Sequence, residues 1–157
     1  MPKRHFILFA LAALCLSGCA ARQEITQFEG GVPNTICIAH HTAVRDGFLI
    51  ALQDSLKSHG VNSNVINANY VKAHGAYNIE ISADDKKDCP AVMFYTAHWN
   101  WDLALYMSYA NIWVTDAEQN NTLAQASYLT RNGLDKFIDA REKVFELVDN
   151  MVAKPKS

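Results

Sequence analysis

The stretch from Ala91 to Thr115, AVMFYTAHWNWDLALYMSYANIWVT, constrains the fold more than any other part of the chain. It is dense in Val, Ile, Phe, Tyr and Trp, residue types that pack well on a pleated, half-buried surface. Asn100-Trp101-Asp102 interrupts it, so two long strands joined by a turn at those three residues are expected. Asp116–Asn121 (DAEQNN) reads as a second turn and TLAQASYLT, 122–130, as the next strand. Consecutive strands joined by short polar turns pair antiparallel.

The chain on either side of this meander is built differently. Thr35–His41 (TICIAHH) is a short β run, and Thr42 can cap a helix whose apolar or small residues recur at Val44, Gly47, Phe48, Ala51, Leu52 and Leu56. That is the i, i+3, i+4, i+7 stripe of an amphipathic helix, and Gly60 is its natural stop. Asn64–Ala68 (NVINA) reads as a second strand, so strand, helix and strand imply a parallel pair with a right-handed crossover. Asn132-Gly133 opens a closing helix with a stripe at Phe137, Ala140, Val144, Leu147, Val148 and Met151. The expected fold is α+β: a mixed five-stranded sheet in the order β-α-β-β-β-β-α, with two helices packed on one face.

Residues 69–90 carry no clear period. Asp84, Asp85 and Asp88 stand beside Lys86 and Lys87 without the spacing of a calcium loop, and the segment reads as a solvated loop.

Five strands make a sheet about 24 Å wide at about 4.8 Å per strand. Two helices of roughly 10 Å diameter cover about 20 Å, enough for one face only. A sheet with one wet face should alternate apolar and polar residues, yet the meander is apolar on both. Val92, Phe94, Ala104, Ala110, Ile112 and Val114 form one parity, suited to helices; Met93, Tyr95, Trp99, Leu105, Met107, Tyr109 and Trp113 form the other. Tyr, Trp and Met are enriched at interfaces. Either residues 69–90 fold over this second face, or Tyr95, Trp99, Tyr109 and Trp113 form a contact surface for an envelope protein or a second copy of the chain.

The first residues carry an address. Lys3 and Arg4 precede Phe6–Leu16, a stretch of eleven residues without a polar side chain, which is a signal-peptide pattern. It is shorter than the roughly 20 residues that a membrane-spanning helix needs. Leu16-Ser17-Gly18-Cys19 resembles the lipobox of bacterial lipoproteins, in which the cysteine is acylated and becomes the new N-terminus. Cys15 follows the bulky Leu14 and fits that pattern less well. The resemblance implies a membrane partner reached through covalent lipid on Cys19, and Ala20 in place of aspartate implies the outer membrane. Residues 1–18 are then the signal peptide, 19–34 a lipidated cysteine and tether, and 35–157 a single domain.

Removal of Lys3 and Arg4 leaves 12 basic against 16 acidic residues. No basic stripe exists, so nucleic acid is not an expected partner. Half of the chain is hydrophobic, which suits a packed domain rather than a disordered one. Cys37 and Cys89 remain after processing. In an oxidising periplasm two such thiols usually pair, the other reading being two buried free thiols.

With this lipobox, the run CPAVMFYTAHWNWDLALYMSYANIW resembles a family of small Gram-negative outer-membrane lipoproteins. That resemblance implies an exported lipoprotein and no particular activity. The element order is similar in pattern to the periplasmic α+β domains of envelope-assembly lipoproteins, such as the N-terminal part of the curli secretion channel, and carries no functional residue over.

Candidate chemistry is thin. His40 and His41 end one strand and His98 another. If Cys37 and Cys89 are bridged, His41 and His98 differ by five residues in distance from their cysteines, roughly 16 Å at strand rise. Adjacent His40 and His41 also point to opposite faces, so a shared metal ion is a weak expectation and no cofactor is expected. Neither a Gly-x-Ser-x-Gly elbow nor a His-Glu-x-x-His motif occurs. The sequence is read as a non-catalytic binding or scaffolding lipoprotein facing the periplasm, the alternative being a small-ligand or metal-binding module at the His40/His41/His98 end.

Overall fold

Residues 21–74, 76–130 and 136–153 are described by a computed structural model. Among the described residues, eight strands and three helices follow one another: β1 (Arg22–Thr26), β2 (Thr35–His40), α1 (Asp46–Ser58), β3 (Asn62–Asn67), β4 (Asn69–Ala73), β5 (Ala76–Glu80), α2 (Ala83–Lys86), β6 (Ala91–Asp102), β7 (Ala104–Asp116), β8 (Thr122–Leu129) and α3 (Ala140–Val152). The fold is mixed α+β, with a six-stranded sheet in the order β1-β8-β7-β6-β2-β3 and a separate β4-β5 pair.

The crossover forms as the pattern requires. β2 runs parallel to β3, with Cys37 opposite Asn64, and parallel to β6, with Cys37 opposite Val92. α1 starts later than expected, at Asp46, because Arg45 rather than Thr42 occupies the cap position and gives no side-chain hydrogen bond. Gly60 ends it at φ +74°, its N–H donating to the Lys57 carbonyl at 3.0 Å. That left-handed conformation is cheap only for glycine.

α1 and α3 cover one face of the sheet. Phe48, Ala51, Leu52 and Leu56 of α1 and Val144, Leu147, Val148 and Met151 of α3 join Met93, Tyr95, Ile112, Val114 and Tyr128 in one buried cluster. α3 begins at Ala140, because Asp139 caps it by accepting the Glu142 N–H at 3.0 Å. The expected start at Asn132-Gly133 lies outside the described residues, and Phe137 precedes the helix.

Three expectations are corrected. The sheet has six main strands rather than five, because part of the expected tether is an edge strand: β1 pairs antiparallel with β8, from Arg22 opposite Leu129 to Thr26 opposite Gln125. Its alternating Gln23 and Ile25 lie half-buried, and Phe28 is buried with its N–H bonded to the Met151 carbonyl at 3.2 Å. Residues 69–90 are no open loop but a β-hairpin followed by the short helix α2. Asn100-Trp101-Asp102 is no turn either; β6 runs through it and the chain reverses at Leu103, φ +61°.

Candidate functional site

The four residues expected to share an interface are divided between the two faces. Above a bulge in β7 at Ser108, Met93 pairs with Val114, Phe94 with Trp113, Tyr95 with Ile112 and His98 with Tyr109. Directly opposed residues of an antiparallel pair share a face, so the odd positions of β6 lie beside the even positions of β7. Grouping both strands by one parity assumed the opposite register, and a shift of one residue exchanges the faces of a strand. Tyr95 is 1% exposed and stacks on Phe48 of α1, ring centroids 5.4 Å apart. Trp99 packs against the same cluster under the Arg45 guanidinium, 5.4 Å from its ring centroid. Both belong to the helix-covered face. Only Tyr109 and Trp113 stay on the second face, each half-buried.

That second face is partly roofed. Cys37, Ala39, Ile66, Cys89, Val92 and Phe94 make a smaller buried cluster, and Tyr70, Ile79 and Ile81 pack onto it from residues 69–81. The Tyr70 hydroxyl donates to the Ala39 carbonyl at 2.9 Å, pinning β4 to β2. Cys37 and Cys89 form a disulfide with Cα atoms 5.6 Å apart, which ties the segment after α2 to the middle of β2. The roof reaches as far as β6 and stops.

Where it stops there is a cavity of about 340 Å³. Lys72 and Tyr77 line it from the hairpin, Thr96 and His98 from β6, and Tyr109, Asn111 and Trp113 from β7. Its ionisable side chains are a lysine, a histidine and two tyrosines, with no carboxylate. Trp113 stacks on Phe94 at 5.5 Å, and His98 lies 5.9 Å from Tyr109. Aromatic walls with a few hydrogen-bonding groups are the usual composition of a ligand or partner pocket. A larger cavity of about 1040 Å³ lies between residues 25–34, His59–Val61 and the end of α3. Glu29 and His59 are its only ionisable lining residues.

The histidines separate by role. His41, 6% exposed, stacks on Tyr70 at 4.0 Å with Tyr77 edge-on at 5.7 Å. Its Nδ1 accepts the Ala43 backbone N–H at 3.3 Å, and the His41 backbone N–H donates to the Tyr95 hydroxyl at 3.2 Å. Burial, then the nearby His40 and His98, lower its pKa from the ordinary histidine value, so the ring is neutral at pH 7. Burial raises the Tyr70 and Tyr95 hydroxyls, which keeps both protonated. The His41–His98 offset is smaller than expected, because Cys37 faces Val92 in the sheet and not Cys89. Even so, no three His, Cys, Asp or Glu side chains among the described residues are grouped to hold a metal ion. His41 is a packed ring in a tyrosine cage, and His98 alone reaches the cavity.

Lys72 and Tyr77 were missed in the sequence. Their signal was the alternation Tyr70, Lys72 and Tyr77, Ile79 on either side of residues 74–75, which pairs Tyr70 with Ile79 and Lys72 with Tyr77.

No protein family and no curated protein match the sequence. Two structures of the PelC dodecamer from Paraburkholderia phytofirmans share the fold. One aligns at 11% identity and a TM-score of 0.55, and a point variant at 10% and 0.54. Each alignment covers 86% of this chain and 100% of the other. TolB from Acinetobacter baumannii aligns at 16% identity and a TM-score of 0.44, over 82% of this chain and 30% of its own. At these identities the PelC likeness is one of fold.

Proposed function

We propose that the chain is an outer-membrane lipoprotein, acylated on Cys19, whose domain is a non-catalytic binding or scaffolding module of the cell envelope on the periplasmic side. The observation that carries the binding role is the unroofed half of the second sheet face. There Lys72, Tyr77, Tyr109 and Trp113 surround a cavity that the fold itself leaves unfilled. The Leu16–Cys19 pattern supports the anchor. Its acyl chains contribute about 0.8 kcal/mol per buried methylene, and two or more anchor stably where one is marginal.

A second copy of the chain is one candidate partner, since PelC, which shares the fold, is described as a dodecamer. A small ligand in the same cavity is the second reading, favoured by its size of about 340 Å³, within the usual range for ligand sites. The metal-binding form of that reading is dropped, because His40, His41 and His98 do not form a ligand group.

Tyr109→Glu tests the binding role. The substituted side chain faces the cavity and leaves the helix-covered core untouched, so the domain should still fold. Crosslinked adducts in intact envelopes, or self-association by sedimentation, should then fall against the parent chain. Adducts and self-association both unchanged in a folded Tyr109→Glu chain would remove this face as the binding surface.

A further inference from the structure

We infer that the tip of the β6–β7 hairpin is a second, non-covalent membrane contact that dips into the lipid interface beside the acylated N-terminus. Trp101, Leu103 and Leu105 are 73%, 88% and 46% exposed, and Trp101 and Leu105 are directly paired across the hairpin. Leu103 makes the reversal at φ +61°, a conformation that bulky residues rarely adopt. Packing within the domain explains none of the three.

The exposed apolar residues are not scattered. Eight large ones are exposed among the described residues. Five of them, Trp101, Leu103, Leu105, Leu129 and Phe137, lie at this end of the sheet: Leu129 closes the row Arg22–Leu129–Tyr109, and Phe137 meets Tyr106 at 5.6 Å. The Lys136 ammonium sits 5.4 Å and 5.1 Å from the Tyr106 and Phe137 rings and pairs with Asp102. Trp and Tyr rings with a lysine beside them are the composition that favours the membrane–water interface.

Topology fixes the direction. β1 is antiparallel to β8 and β8 to β7, so β1 and β7 run the same way, away from the tip. The chain before Arg22 therefore enters from the tip side. Cys19 is three residues from Arg22, a reach of at most about 10 Å. The β6–β7 hairpin extends four paired rows past that row, from Trp99–Met107 to Asp102–Ala104, because the bulge at Ser108 adds a residue but no row, roughly 13 Å at strand rise. Even a link extended to its full reach leaves the tip roughly 3 Å farther out than Cys19, so an acylated Cys19 at the lipid surface would bring the tip into the interface. The lipid surface is the occupant that this geometry brings to the tip.

The inference rests on the anchor proposed for Cys19, and one experiment separates the two. The full processed chain is purified from membranes and reconstituted into phosphatidylethanolamine–phosphatidylglycerol vesicles doped with phosphatidylcholine brominated on its acyl chains. Acylation of Cys19 is read on the same sample by mass. Tryptophan emission should be quenched, Trp101→Phe should reduce the quenching to what Trp99 and Trp113 leave, and Leu103→Ser should weaken it with Trp101 still in place. Both positions are exposed, and unchanged thermal melting checks the fold. An acylated chain that brominated lipid does not quench, or that is quenched equally in Trp101→Phe, overturns the tip contact alone. So does crosslinking of the tip to a second copy or another protein without quenching. Quenching of Trp101 in an unacylated chain upholds the tip and sinks the anchor.

Discussion

The Tyr128 hydroxyl finds no hydrogen-bond partner among the described residues, although the side chain is 1% exposed in the middle of the core. An unpaired buried polar group costs about 1–3 kcal/mol. Tyr128→Phe should therefore keep the ring packing and raise stability by about 1 kcal/mol in chemical denaturation; a loss of stability would mean that the hydroxyl is bonded. His41 sets a pH dependence with a definite sign. Its folded pKa lies below the ordinary value of 6.5, so the unfolded chain binds more protons between those two values, and stability rises with pH there. The contribution is complete above about 6.5 and is lost as pH falls below it. His41→Gln should flatten the stability profile over that window; an unchanged slope would place the acid sensitivity elsewhere. Neither residue was legible beforehand. Tyr128 reads as an ordinary strand tyrosine in TLAQASYLT, and the tyrosine cage of His41 comes from three separate strands.

At the scale of elements, long and strongly periodic segments were readable and short ones were not. β6, β7, β8, the α1 stripe and its Gly60 stop all follow from patterns within one window. Arg22–Thr26 has five residues, one fully apolar, and becomes a strand because the edge of β8 offers it a hydrogen-bonding partner. The bulge at Ser108 is equally silent in sequence, and it decides which aromatic residues share a face. The pairing of Cys37 with Cys89 was expected from compartment alone and stands in the structure. A bridge across 52 residues stabilises by about 4 kcal/mol in the chain-entropy model. Unfolded, unreduced protein should show no titratable thiol. Cys37→Ser together with Cys89→Ser should lower stability by about that amount and loosen the hairpin roof, measured as faster amide exchange at Tyr70 and Ile79. Two free thiols before reduction, or a double variant as stable as its parent, would contradict the structural role given to the bridge.

At the scale of the whole molecule, two helices cover one face of a sheet that is apolar on both, and a hairpin covers only part of the other. The counting of widths left the second face either roofed by residues 69–90 or open as a contact surface; the structure roofs part of it, to an extent set by how far β4 and β5 reach past Phe94. In the proposed reading, the lipobox pattern and the apolar hairpin tip would turn the N-terminus and tip toward the membrane, with the Tyr109–Trp113 cavity on one flank. The proposed function rests on the covalent anchor proposed for Cys19. Mass spectrometry of the chain purified from the outer-membrane fraction tests it most directly. Loss of eighteen of 157 residues should leave 139, beginning at Cys19 and heavier than the bare peptide by its acyl chains, with Cys19→Ser releasing the product from membranes. A mature chain that starts at any other residue, or a Cys19 that carries no lipid, would contradict the account.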